Sequence, residues 1–217
     1  MRGLMLMALL VVSPFGCASR PTNATMNVLA SSGATSGAVT SVGQQVIQDA
    51  LQTAELKPFD ASTRYASLDL PWDSFNELRQ QIDTVDRQGH APLRHRGEAH
   101  ITWITPPEFQ VLLRDLKPSV IESILRQHLF DVRASLRALC LGRFQGADSE
   151  TWFVVVESAA LIQARVAIQQ AFVAQGGSSA LFEPKTYHPH VTLGFAPRDL
   201  HAQDGAIKDS RSCHRPL

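Results

Sequence analysis

Apolar spacing divides the first half of the chain into a strand, a helix and a second strand. Residues 65–70 alternate between apolar and polar side chains, which predicts a strand. Pro71 can open a helix at its first position. The apolar residues that follow are three or four apart until Gly89: Trp72, Phe75, Leu78, Ile82 and Val85. The next strand is predicted over Glu98 to Ile104, "EAHITWI".

The second half of the chain continues this mixture of helices and strands. Thr105 to Glu108 supplies an N-cap, two prolines and a capping glutamate, which together predict a helix start. The β-branched and aromatic run "TWFVVVE" is typical of a buried strand. The predicted elements are a helix from Thr105 to about Leu116, a helix over 118–130, one bent strand or two strands over 132–146, a strand over 151–157, a helix over 158–175 and a strand over 188–195.

Two of these stretches repeat one arrangement of strand, helix and strand. The second strand of the first unit contains His100-Ile101-Thr102, and the second strand of the other unit contains His190-Val191-Thr192. Residues i and i+2 of a strand point to the same face. Each strand is therefore predicted to present an imidazole and a hydroxyl side by side, with Ile101 or Val191 facing the other way.

Two imidazoles and two hydroxyls suit the cleavage of a phosphodiester. One histidine can accept a proton from the attacking oxygen while the other gives a proton to the leaving oxygen. The threonine hydroxyls can donate hydrogen bonds to the non-bridging phosphoryl oxygens. In-line displacement needs the base and the acid on opposite sides of the phosphorus, which a symmetric pair of strands supplies. This chemistry needs no metal.

The paired motifs, the second written "PHVTL", resemble those of the 2H phosphoesterase superfamily, and "EAHITWITPPEF" further resembles its Swiss-army-knife RNA repair-like branch. The resemblance covers roughly residues 64–198. It implies an α+β fold with two pseudo-symmetric lobes, whose antiparallel sheets line a central cleft with helices outside. It also implies metal-free catalysis without a cofactor, on ends that bear 2',3'-cyclic phosphate. His100 and His190 would be the acid/base pair, and Thr102 and Thr192 would bind the phosphate.

Other residues are candidates for substrate binding. Tyr187 and Lys185 precede the second motif and could contact a base or a phosphate, or could be a rim tyrosine and a solvated lysine; Arg143 and Arg198 are further candidates. His188 could form a metal clip with His190, but no further ligand stands at a suitable spacing. Trp103, at odd spacing from His100, is expected in the core.

Charge and cysteine content limit the partners. Twenty Lys and Arg residues balance twenty Asp and Glu residues, so no basic field indicates binding to long nucleic acid. A nucleotide or an RNA end is the expected substrate, and we expect a monomer. Cys140 and Cys213 are compatible with a bridge in an oxidising compartment, or with a buried free thiol at Cys140.

The N-terminus differs from the rest in composition. Residues 1–17 combine a positive start with an apolar run that ends at Cys17, which is typical of an export signal and resembles a bacterial lipobox. This predicts lipidation of Cys17, a membrane anchor and a location in the cell envelope facing the periplasm; plain secretion and a mis-assigned start are the alternatives. Residues 18–60 are predicted to be a tether or weakly structured, with a short helix possible over 44–56, and residues 61–217 to be the 2H phosphoesterase-like domain. A lipid-anchored module that binds a nucleotide without turnover is the alternative function.

Overall fold

The computed structural model describes residues 38–58, 62 and 64–217, with side chains from residue 43 onward. The predicted signal peptide, Cys17 and the first part of the predicted tether lie outside the described residues. No helix within the described ranges has the length and apolar character needed to cross a membrane.

Five α-helices and seven strands make up the described fold. The helices are α1 (Ala38–Gln52), α2 (Trp72–Gln81, continued by a π-helical turn over Ile82–Asp86), α3 (Pro106–Leu112), α4 (Pro118–Ser135) and α5 (Ala159–Ala174). The strands are β1 (Glu55–Leu56), β2 (Ala66–Leu70), β3 (Ala99–Ile104), β4 (Arg137–Gln145), β5 (Glu150–Glu157), β6 (His190–Ala196) and β7 (Cys213–Arg215). The predicted order of helices and strands after residue 64 is confirmed. One difference lies in α4, which continues to Ser135 and buries Val132 in its last turn. The strand that follows is therefore a single one, over residues 137–145.

The seven strands form one antiparallel sheet in the order β1-β2-β3-β6-β5-β4-β7. The fold is therefore α+β with an antiparallel sheet, as expected. β3 and β6 meet at a single register pair, Ile101 with Val191, whereas β2 with β3 and β5 with β6 pair along most of their lengths. The sheet is thus continuous but narrowly joined at its centre, and a division into two lobes around a cleft stays a prediction.

The main core lies on the side of the sheet that the helices cover. Ile101, Trp103 and Val191 are fully buried there, together with apolar residues of α1, α2, α4 and α5. This confirms the prediction that Trp103 faces the core. A small separate cluster of Cys140, Phe153 and Val155 lies on the other face of the sheet, because alternate residues of a strand point to opposite faces.

The structured part begins well before residue 61. α1 contributes the buried residues Ile47 and Leu51, and Leu56 of β1 pairs with Leu68 of β2. The side chain of Gln48 also binds the backbone of residues 136 and 138. A tether that reaches residue 60 does not fit this packing, since residues 43–56 bury apolar side chains against the rest of the fold.

The chain ends by returning to the sheet. β7 pairs with β4, and Cys213 at its start forms a disulfide with Cys140. Of the two states that the sequence left open for Cys140, the structure has the bridge.

Candidate active site

β3 and β6 place the four motif residues on one face of the sheet. Ile101 and Val191 pair at the centre and point into the core, so His100, Thr102, His190 and Thr192 point the other way. All four are half-buried. Because the strands run antiparallel, each histidine is directed toward the threonine of the other strand. The two imidazoles are close enough that His100 acts electrostatically on His190.

β3 and β6 share one register pair, and on either side of it contacts with neighbouring segments take the place of direct pairing. At one end the hydroxyl of Tyr187 donates a hydrogen bond of 2.6 Å to the carbonyl of Thr102. At the other end Arg94 exchanges two backbone hydrogen bonds of 2.9 Å with Phe195. A Cβ on Gly194 would lie only 2.9 Å from the Arg94 carbonyl oxygen, so this close approach requires glycine. His100 and Thr192 line a small recess.

A buried ion pair anchors the end of β3. Arg165 of α5 is fully buried, lies 2.5 Å from the carboxylate of Glu108 and donates to the carbonyl of Trp103 at 2.6 Å. Glu108 also accepts from the backbone and hydroxyl of Thr105, which completes the predicted capping box of α3. The guanidinium stacks 4.3 Å from the ring centre of Tyr187. This network fixes both β3 and the tyrosine that contacts it.

His190 lies in the more enclosed half of the site. Its Nδ1 is 2.8 Å from the carbonyl oxygen of His188. Since a carbonyl only accepts, Nδ1 carries the proton in this bond and Nε2 is left with a lone pair. Burial lowers the pKa of His190 to about 3, and the ammonium of Lys208 adds to this shift. The bond to His188 and the carboxylate of Asp199 oppose it. In the free protein His190 is therefore a neutral imidazole near pH 7.

His100 lies in a more polar half of the site. Its Nδ1 is 3.5 Å from a carboxylate oxygen of Glu98, and its ring is 6.3 Å from that of Tyr65. Burial lowers the pKa of His100, while the carboxylates of Glu98 and Asp69 oppose the shift. The ammonium of Lys57 donates to the Tyr65 hydroxyl at 3.2 Å, which adds a cation near this histidine.

The predicted substrate-binding residues are placed in different parts of the molecule. Lys185 and Tyr187 line a concavity of about 610 Å³ next to the start of β6. Lys185 is exposed there, whereas the hydroxyl of Tyr187 is engaged with β3. Arg143 pairs with Glu150 at 2.8 Å and stacks on Trp152, on the face opposite to His190, so it is not brought to the site. Arg198 is exposed and pairs with Asp204 at 2.9 Å. Each arginine is thus paired with a carboxylate, and neither is among the residues that line the recess beside His100 and Thr192.

Sequence reasoning missed Lys208 and Asp199, two buried charges beside His190. Lys208 stands alone in the weakly patterned tail "GAIKDS", and Asp199 follows the last clear strand, so neither gives a local signal. Both are placed by contacts with β5: Asp199 accepts a hydrogen bond from the Thr151 hydroxyl, and Lys208 lies over the ring of Phe153. The described residues contain no group of three or more His, Cys, Asp or Glu side chains arranged to hold a metal ion.

Comparison with protein families finds a match over more than half of the chain. The family model described as "Swiss Army Knife, 2H phosphoesterase domain" matches residues 66–201. The matched span contains both histidine and threonine pairs and stops before Lys208. No curated protein and no solved structure matches the chain.

Proposed function

We propose a function that starts from one premise: the chain belongs to the Swiss Army Knife 2H phosphoesterases, a family whose domain implies phosphodiesterase activity. The finer proposal is a metal-independent phosphodiesterase that cleaves cyclic 2',3'-type or 2'-linked phosphodiesters of RNA ends or nucleotides. The observation that carries it is the placement of His100, Thr102, His190 and Thr192 on one face of two adjacent antiparallel strands.

His190 is proposed as the base. Its Nδ1–H is committed to the His188 carbonyl, so Nε2 is the atom that can accept a proton. An arriving phosphodiester anion raises the pKa of a nearby imidazole, because the anion favours the charged form. The pKa of His190 is thereby moved from about 3 in the free protein toward the range in which a base is effective.

His100 is proposed as the acid. Burial lowers the pKa of His100, whereas the carboxylate of Glu98, 3.5 Å from its Nδ1, and an arriving phosphodiester anion favour the imidazolium. In hydrolysis of a cyclic phosphate, water attacks phosphorus and gives its proton to His190. The bond from phosphorus to one ribose oxygen breaks, and that oxygen receives the proton of His100. The hydroxyls of Thr102 and Thr192 donate to the non-bridging oxygens.

The concavity next to β6 is proposed to take the nucleoside or the adjoining nucleotide. It is lined by residues that include His188 and Pro189, which lead directly into the second motif. Lys185 on its rim is exposed and is proposed to contact an anionic group of the substrate.

Export and anchoring through Cys17 remain a proposal, which the Cys140–Cys213 disulfide supports. Disulfides persist mainly in oxidising compartments and are rare in cytosolic proteins. A substrate outside the cytoplasm would then be a small cyclic nucleotide or an RNA fragment.

The test is turnover of nucleoside 2',3'-cyclic phosphates and of 2'-5'-linked dinucleotides by the full chain in excess chelator. We expect turnover that falls on the order of 10²-fold or more in His100→Ala and in His190→Ala. His128→Ala, in α4, is the matched control and should keep full activity. Nucleotide binding without turnover, unaffected by both substitutions, would favour the binding module instead; turnover abolished by the chelator would refute the metal-independent mechanism.

A further inference from the structure

Arg96 lies in the loop before β3, whose backbone is held in place on both sides of this residue. Arg94 exchanges two backbone hydrogen bonds of 2.9 Å with Phe195, near the end of β6. Gly97, on the other side, has a φ of 74°, a conformation that glycine adopts without steric cost. The backbone of Arg96 is therefore fixed beside the end of β6.

The side chain of Arg96 crosses β6 on the face that carries the histidines. Its Nη2 lies 3.2 Å from one carboxylate oxygen of Asp199, and the other oxygen accepts from the Thr151 hydroxyl at 3.2 Å. Thr151 belongs to β5, which lies on the far side of β6 from β3. It shares a face with Phe153, which pairs with Thr192 of β6. A side chain that joins the loop before β3 to a carboxylate held by β5 therefore passes over β6 on that face.

Arg96 also lines the small recess that His100 and Thr192 share. The recess has a volume of about 20 Å³, which is room for about one water-sized group. An oxygen atom of a phosphoryl group is of this size, whereas a nucleoside is far larger. Among the residues that line the recess, Arg96 alone carries a permanent positive charge.

The carboxylates nearby do not cancel this charge. Asp199 is shared by Arg96 and Lys208, whose Nζ lies 3.4 Å away, so two cations face one anion. Glu98 also lines the recess, but its carboxylate lies 3.5 Å from Nδ1 of His100. When His100 is protonated as the proposed acid, Glu98 and the imidazolium balance each other. One positive charge then remains, which matches the single negative charge of a phosphodiester.

The guanidinium keeps donors for a ligand. Half of the Arg96 side chain is exposed, and within the described residues its one side-chain hydrogen bond is that from Nη2 to Asp199. A guanidinium has five N–H donors in a planar fork. Such a fork can bind two oxygens of one phosphoryl group, and hydrogen bonds between charged groups are the stronger ones. Arg96 therefore combines available donors, a positive charge and a place at the recess.

We propose that Arg96 is the phosphate-binding cation of this site, whose guanidinium donates to a non-bridging oxygen of the phosphodiester held between His100 and Thr192. This inference rests on the proposed function and names a residue outside both His-x-Thr motifs. Negative charge on the non-bridging oxygens grows as water attacks phosphorus, so the guanidinium stabilises the transition state more than the bound substrate. Asp199 holds the guanidinium before the substrate arrives, which limits the cost of ordering the side chain.

Binding of inorganic phosphate tests this contact without turnover. The full chain, labelled with ¹⁵N, is titrated with phosphate by NMR at pH 7 and constant ionic strength, because salt weakens anion binding. The backbone amide signals of Arg96, His100 and Thr192 should shift and saturate. Arg96→Met should raise the Kd about tenfold or more, because a charge-assisted hydrogen bond is lost. Arg96→Lys keeps the charge but not the planar fork, so its Kd should lie between those of the wild type and Arg96→Met.

Arg126→Met is the matched control. Arg126 of α4 has a side chain that is 54% exposed and pairs with Glu122 at 2.7 Å, so the variant removes a similarly exposed and paired guanidinium that does not line the recess. Its Kd for phosphate should equal that of the wild type. A Kd in Arg96→Met equal to that in Arg126→Met would overturn the proposal, as would a wild-type chain whose recess signals do not shift with phosphate.

Turnover gives an independent reading. If the chain hydrolyses a nucleoside 2',3'-cyclic phosphate, Arg96→Met should lower both kcat and kcat/KM, the latter on the order of 10²-fold. Hydrolysis at the wild-type rate by Arg96→Met would overturn the proposal and leave the proposed function standing. If phosphate binding depends on Arg96 and no tested phosphodiester is cleaved, the proposed function is refuted for those substrates and the anion site stands.

Discussion

Acidification should destabilise the chain through His190, and His190→Gln should remove that part of the loss. Burial lowers the pKa of His190 to about 3 in the folded chain, whereas an unfolded histidine titrates near 6.5. The unfolded state therefore binds a proton at a pH at which the folded state does not. Stability from this group is complete above pH 6.5 and decreases as the pH falls toward 3.

The magnitude at pH 5 follows from these two values. The unfolded histidine gains about 2 kcal/mol from protonation at that pH, and the folded histidine gains almost nothing because pH 5 lies well above its pKa. Between pH 8 and pH 5 the wild-type chain should thus lose about 2 kcal/mol more than His190→Gln. Glutamine fills a similar volume and does not titrate, so the other acid-sensitive groups contribute equally to both proteins.

Urea denaturation at pH 8 and at pH 5 measures this difference as a change in the free energy of unfolding. His128→Gln, a histidine of α4 outside the site, is the control and should behave as the wild type. Equal losses in the wild type and in His190→Gln would refute the reasoning, because His190 would then protonate as readily in the folded chain as in the unfolded chain.

Two predictions concern the supports of the site. Arg165→Met should lower the free energy of unfolding by about 3 kcal/mol, because the largely buried Glu108 carboxylate loses its partner. In urea denaturation, the double variant Arg165→Met with Glu108→Gln should lose less stability than the sum of the losses in the two single variants. Additive losses would contradict a coupled pair. Replacing Cys140 and Cys213 by alanine should cost about 4 kcal/mol, since their disulfide closes a loop of 73 residues. Thermal unfolding of the double variant checks this, and a midpoint equal to that of the oxidised wild type would contradict it.

Local pattern was sufficient for the elements and for the two motif pairs. The alternation of β3 and β6 shows that each histidine shares a face with its threonine, because the period of a strand is two whatever its neighbours are. The capping box at Thr105 and Glu108 and the burial of Trp103 follow from short-range geometry in the same way. The repeat of strand, helix and strand also indicated that the two pairs belong to one site.

Long-range pairing decided which further side chains join that site. The register of β4 on β5 directs Arg143 to the face opposite to His190, and the hydroxyl of Tyr187 is used to hold β3. Other long-range contacts bring Lys208 from an unpatterned tail to the ring of Phe153, which in turn lies 6.0 Å from the ring of His190.

The sequence by itself determined the order of helices and strands, the paired histidines and threonines, and the resemblance to a phosphodiesterase family. Only the tertiary structure decided the disulfide, the inclusion of α1 and β1 in the fold, and the buried charges beside His190. The physical reason is that side-chain alternation and helix caps depend on a few neighbouring residues. The return of a tail over a sheet depends on contacts between residues far apart in the chain, for which the sequence contains no local signal.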